Sequence, residues 1–203
     1  MLMSQDVPLE ESALLVIDVQ DSFKIAPERW SQRNNPDFEA NLKALIQAYK
    51  TASLPIFYFL HTDGDPGFNA DSPYFKLTDF VADLRDDAPL LVKNTRNGFT
   101  STTLQTDLLH RGVRRVIVTG IQTEQCCETT ARVAADLGYA VDFVTDATAT
   151  FPIANPDAPW HVLNADAITE RTVFVLRDRF ARIVTTQALV NEIAEHFTPA
   201  PKM

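Results

Sequence analysis

Six short apolar runs, separated by stretches with helical spacing, leave this 203-residue chain few folds to choose from. The runs are Ala13–Ile17, Pro55–Leu60, Leu90–Val92, Arg115–Thr119, Ala140–Val144 and Ala181–Val184. Between them, Phe38 to Ala52 carries apolar residues at 38, 42, 45, 46 and 49, which is one face of a helix. Leu104 to Leu109 reads as a helix ending near Gly112, and Cys126 to Leu137 as one closed by Gly138. Asp157 to Glu170 and Thr186 to Phe197 complete the predicted helices. Strands that alternate with helices make βαβ units. The expectation is an α/β fold of three layers, α/β/α, with a six-stranded, mostly parallel, Rossmann-like sheet and helices on both faces. Strands apolar along their whole length fit burial on both sides.

The length suits a single domain over residues 1–203, with flexible ends at 1–11 and 198–203. At 45% hydrophobic and 22% charged residues, such a chain can bury a core without staples. A formal net charge of −9 argues against nucleic acid and anionic membrane surfaces as partners. The first twelve residues lack the basic and apolar regions of a signal peptide, and no apolar run approaches the roughly 20 residues that span a bilayer. A cytoplasmic protein with reduced thiols is expected. The two cysteines, Cys126 and Cys127, are adjacent, so an unstrained disulfide between them is disfavoured. The six glycines form neither a G-x-G-x-x-G nor a P-loop, and no G-x-S-x-G elbow is present.

Ligands of open α/β sheets bind beyond the carboxyl ends of the strands. The first run ends in Asp18, the third in Lys93, and the fourth leads through Gly120 to Cys126. An acid, an ammonium and a thiol are thereby brought to one edge of one sheet. A thiol at the start of a helix is expected to have a lowered pKa, from the helix dipole and the free N–H groups of the first turn. Lys93 can stabilise the thiolate, Asp18 can shuttle a proton and Cys126 can attack a carbonyl carbon. Backbone N–H groups of the preceding turn can hold the oxyanion. Singly, each residue has a plainer reading: a loop cap, a solvated charge, a small buried hydrophobe. Their joint placement is the signal. Two long connections, 21–35 and 61–79, follow strands and are expected to build the site. Phe23, Trp30, Tyr58, His61 and Phe99, in or beside the relevant loops, are candidates for a substrate-binding lining, with ordinary packing as the alternative. Arg96 is a candidate partner for a substrate carboxylate, or a surface arginine.

Three segments carry a resemblance. Leu15-Val-Ile-Asp-Val-Gln-Asp-Ser-Phe23, Lys93-Asn-Thr-Arg-Asn-Gly-Phe99 and Thr119-Gly-Ile-Gln-Thr-Glu-Gln-Cys126 resemble, in order, the acid, lysine and nucleophile motifs of the isochorismatase-like cysteine hydrolases. The similarity extends to Thr130, Ala131, Gly138-Tyr139 and Asp146-Ala147, and runs from about residue 12 to 190. It implies an Asp18–Lys93–Cys126 triad and a non-proline cis peptide near Ile121-Gln122 that helps form the oxyanion hole. It implies cleavage of the C–N bond of a small amide, urea or carbamoyl compound through a thioester. Helical periodicity leaves Cys126 and Cys127 undecided; the resemblance selects Cys126, six residues after Gly120, and makes Cys127 a packing residue. Nicotinamidases of this family hold a metal through an Asp-x-His pair and a further His. Here the pair is reversed, His61-Thr62-Asp63, with no further histidine until His110, so no metal and no other cofactor is expected. A small-molecule substrate and a homodimer or higher homo-oligomer are expected. Other readings are a metal-assisted nicotinamidase-type enzyme, a thiol redox sensor built on the cysteine pair, and a non-catalytic binding protein on the same fold.

Overall fold

The computed structural model describes residues 6–197. The flexible ends expected at 1–5 and 198–203 lie outside the described residues. Residues 6–11 are packed: Val7 and Leu9 are buried, and the Arg115 guanidinium donates to the Val7 carbonyl.

The apolar runs form the strands β1 (Ser12–Ile17), β2 (Ile56–His61), β3 (Leu90–Lys93), β4 (Arg115–Ile121), β5 (Ala140–Ala149) and β8 (Arg182–Val184), with a separate hairpin of β6 (Ile153–Asn155) and β7 (Ala158–Leu163). The main sheet has the order β3-β2-β1-β4-β5-β8, and every pairing in it is parallel. The order reverses direction between β1 and β4, which opens a crevice at their carboxyl ends. β1 is buried along its whole length, as an interior parallel strand must be. β3 is a four-residue edge strand on which Leu90 and Val92 are exposed.

Alternation along the strands splits the core into two layers. Leu14, Val16, Tyr58 and Leu60 face α2 (Phe38–Thr51), α3 (Asp79–Arg85) and α7 (Thr186–Phe197), where they meet Leu42, Leu45, Ile46, Val81, Leu189 and Ile193. Leu15, Ile17, Phe57, Phe59, Val116 and Val118 face α4 (Leu104–His110), α5 (Glu128–Asp136) and α6 (Ala165–Leu176). A short helix, α1 (Pro27–Ser31), lies in the loop after β1. Arg115, at the start of β4, is buried because Asp142 on β5 accepts from its Nε at 2.9 Å.

The helix expected over Asp157–Glu170 does not form as such. Residues 158–163 are β7, paired antiparallel with β6, and the helix begins at Ala165. Asn155-Pro156-Asp157 makes the turn, Pro159 has no N–H to give to a helix, and Trp160 and Val162 favour a strand. Asn164 then caps α6 by accepting from the Ala167 N–H at 2.8 Å. β5 runs beyond the expected Val144 to Ala149, with a register shift opposite Val118–Gly120. Asp146, in the shifted stretch, caps α7 by accepting from the Thr186 N–H and hydroxyl.

Candidate active site

The chain leaves β1 through Asp18, whose φ of +52° turns it sharply off the strand, a conformation aspartate tolerates better than most residues. β4 leaves the sheet through Gly120 at φ +119°, where a Cβ would stand 1.9 Å from the Ile17 carbonyl oxygen. Only glycine lets β4 pass that close to the end of β1. The next peptide, Ile121–Gln122, is cis. A single turn of π-helix, Thr123–Cys127, carries the cysteines into α5.

Three strand ends converge at this point. Lys93 Nζ lies 2.7 Å from Asp18 Oδ2 and 3.3 Å from Cys126 Sγ. It also donates to the Thr95 carbonyl at 3.2 Å. Asp18 and Lys93 are fully buried and Cys126 is 5% exposed, so the thiol is the member of the trio that meets the outside. Neither oxygen of Asp18 has a donor in hydrogen-bonding geometry among the described residues, although the Lys93 ammonium touches one of them. Closeness and charge hold this pair without direction. The carboxylate keeps a free lone pair with which to take a proton.

The thiol is not pre-ionised. Burial, then the negative charge of Asp18, push the Cys126 pKa up to about 12, against the opposing pull of Lys93. This overturns the lowered pKa expected of a cysteine at a helix start. Cys126 sits inside the π turn rather than at a helix N-terminus, and desolvation with a carboxylate neighbour outweighs the ammonium. A nucleophilic role for this thiol would require its proton to leave as it attacks. Alkylation of Cys126 by iodoacetamide in the free protein is expected to rise about tenfold per pH unit from about pH 7 to 9 without levelling off, because the reactive thiolate fraction climbs throughout that range. A plateau below pH 8 in the rate read by mass spectrometry would contradict it.

Cys127 is fully buried with its Sγ 3.7 Å from the Thr119 carbonyl, packed with Ala131 and Ala134. Gln122 is buried with its side-chain Nε2 unpartnered, immediately after the cis peptide. Of the residues proposed to line the pocket, His61 stands beside Lys93, with Nδ1 3.3 Å from Nζ. Phe23 and Trp30 belong to a strip of rings that reaches it. Trp30 meets Phe151 at 6.2 Å, Phe151 stacks on Phe23 at 5.8 Å, Phe23 meets Phe68 edge-on at 5.0 Å, and Phe68 meets His61 at 6.1 Å. Tyr58 is not brought to the site. Tyr58 is mid-strand in the core layer under α2 and α3, and burial, with Asp86 nearby, pushes its phenol up to about 12. Phe99 packs against Tyr139, at 5.8 Å, in the opposite layer, which also holds Cys126.

A family model, the isochorismatase domain, matches residues 12–188. The chain belongs to the isochorismatase family. It is a hydrolase on that family's α/β/α fold. This isochorismatase-family chain is 28% identical over 185 residues to the isochorismatase family protein YrdC of Bacillus subtilis, covering 90% of this chain and 96% of the relative. It is 35% identical over 154 residues to nicotinamidase 3 of Arabidopsis thaliana, covering 69% and 74%. The crystal structure of a cysteine hydrolase from Pseudomonas syringae shares the fold, with a TM-score of 0.83 at 24% identity, over 94% of this chain and 96% of that one.

This isochorismatase-family chain also brings to the crevice residues that sequence reasoning passed over. Gln20 ties the ends of β1 and β2 together: its Oε1 accepts from the His61 N–H at 2.7 Å and its Nε2 donates to the His61 carbonyl at 3.1 Å. Its place two residues after Asp18 was the available signal. Phe151 lies past the extended end of β5, a fourth strand end at the crevice, and Phe68 lies in the 61–79 loop among glycines and prolines.

Proposed function

We propose that this protein hydrolyses the C–N bond of a small amide, urea or carbamoyl compound through a thioester on Cys126. The observation that carries the reading is the contact of one buried ammonium, Lys93, with both Asp18 and Cys126. The name of the relative nicotinamidase 3 is that of an amide hydrolase and supports the same class of bond.

On this reading the Cys126 proton passes to Asp18 as Sγ attacks the carbonyl carbon, and Lys93 offsets the charge growing on sulfur. N–H groups of the turn after the cis Ile121–Gln122 peptide receive the oxyanion. Asp18 returns the proton to the departing nitrogen, the C–N bond breaks, and ammonia or an amine leaves. Water then attacks the thioester, giving its proton to Asp18; the C–S bond breaks, the acid leaves, and Asp18 reprotonates the sulfur. His61 and the flanking rings Phe23 and Trp30 hold the substrate. The reading calls on no cofactor; Nε2 of His61 faces Asp63 at 3.1 Å and the Arg96 guanidinium at 2.6 Å.

The same reading makes the whole chain one catalytic domain, working in the cytoplasm as a homodimer or higher homo-oligomer on a small molecule, without nucleic acid or membrane. No helix among the described residues is long and apolar enough to cross a membrane. Exposed Ile153, Trp160, Val162 and Leu163 on the hairpin, with Phe174 on α6, support burial against a second copy.

Quenching the enzyme in acid during turnover of a panel of small amides is expected to leave an acyl mass on the peptide holding Cys126. Ammonia release without any such adduct would count against the thioester.

A further inference from the structure

The His61 ring has more hydrogen-bond donors around it than it can accept from. Nδ1 faces the Lys93 ammonium at 3.3 Å. Nε2 faces Asp63 Oδ2 at 3.1 Å and Arg96 Nη1 at 2.6 Å. Asp18 adds its charge from beyond Lys93, and the Phe68 ring closes one side. Burial first, then the Lys93 charge, lower the His61 pKa below its usual 6.5, so the ring is neutral at neutral pH.

A neutral imidazole offers one N–H and one lone pair. The Lys93 ammonium only donates, so it takes the lone pair of Nδ1. The ring proton then sits on Nε2, where Asp63 accepts it, and the Arg96 N–H meets another N–H. The other tautomer satisfies Arg96 and turns the Nδ1 proton against the ammonium. Neither tautomer serves both cations, and protonating the ring would oppose both.

Lys93 is fully buried, whereas the Arg96 side chain is 53% exposed. Its one carboxylate neighbour among the described residues is Asp63, 3.8 Å away and already accepting from His61 and from the Asp65 N–H. Arg96 is thus a half-exposed guanidinium beside His61 whose one carboxylate neighbour is shared with other donors. A planar carboxylate suits its fork.

We infer that Arg96 is the receptor for a carboxylate on the substrate, so the amide or carbamoyl compound this site takes is an anion. This rests on the amide-hydrolase reading above. Binding the anion draws Arg96 off Nε2 and leaves His61 with one arrangement, accepting from Lys93 and donating to Asp63.

Two electrophiles with one warhead test this without knowledge of the natural substrate: N-iodoacetylglycine, an anion, and its neutral amide, N-iodoacetylglycinamide. In the wild-type protein, Cys126 is expected to react on the order of tenfold faster with the anion, in keeping with a charge-assisted hydrogen bond. In Arg96→Gln that preference should fall to within about twofold, and Arg96→Lys, which keeps the charge without the fork, should fall between. Equal rates in the wild type, or a preference that survives Arg96→Gln, would overturn the assignment of Arg96. Labelling at Cys127, or at neither cysteine, would instead overturn Cys126 as the nucleophile, so the two failures are distinguishable.

Discussion

Cys126→Ala is expected to lower amide turnover by about 10⁴-fold or more, while Cys127→Ala keeps it within about threefold of wild type. The residues are neighbours in sequence but point into different surroundings. Cys126 Sγ touches the Lys93 ammonium and keeps a sliver of exposure. Cys127 Sγ is sealed among Ala131, Ala134 and the Thr119 carbonyl, where no substrate reaches it. Removing its sulfur leaves a small cavity worth about 1 kcal/mol of stability. Initial rates of ammonia release, with a thermal melt of each variant, check both statements. Turnover surviving in Cys126→Ala, or vanishing in a folded Cys127→Ala, would remove the nucleophile from the mechanism.

The Asp18–Lys93 pair is expected to give the second large effect, and an asymmetric one. Asp18→Ala leaves an ammonium with no exposure and no counter-charge, which costs about 3–5 kcal/mol. At about 2–4 °C per kcal/mol for a domain of this size, the melting temperature should drop by ~6–20 °C. Lys93→Met keeps the volume but strands the carboxylate in the same way. The double variant removes both charges together and should be more stable than either single variant, because no uncompensated ion remains. All three should be inactive, since the double variant restores the packing and not the chemistry. Denaturant titration beside activity separates the two; a double variant no more stable than the singles would mean that the pair is not the electrostatic unit its 2.7 Å contact indicates.

Much of this was legible in the sequence because it depends on period and on strand ends. Leu14 to Ile17 and Val116 to Val118 are apolar on both faces, which forces burial on both sides, and the residues that follow such strands must emerge at one edge of the sheet. The thiol's acidity was not legible. It depends on how far a π turn sinks Cys126 beside Asp18, and that depth is set by tertiary packing, not by its position at a helix start. The place of Tyr58 was not legible for a related reason. Nearness in sequence to a site residue does not say which face of the sheet a ring takes, and alternation sends Tyr58 into the layer under α2. The helical reading of Asp157–Glu170 takes in β7 because the apolar residues there are too few to separate one period from another; Pro159 is the cue against a helix at that point.

The short edge strand β3 gives this arrangement an unexpected weak point. The ammonium that touches both Asp18 and Cys126 is the last residue of a four-residue strand with a partner on one side only. Edge segments open locally at a fraction of the free energy needed to unfold the whole molecule. Any opening of β3 from β2 would carry Lys93 away from Asp18 and Cys126. On the mechanism proposed above, catalytic competence would depend on one peripheral strand as well as on the fold, and a ligand or neighbouring subunit that clamps that strand would favour the active arrangement without touching the reacting atoms.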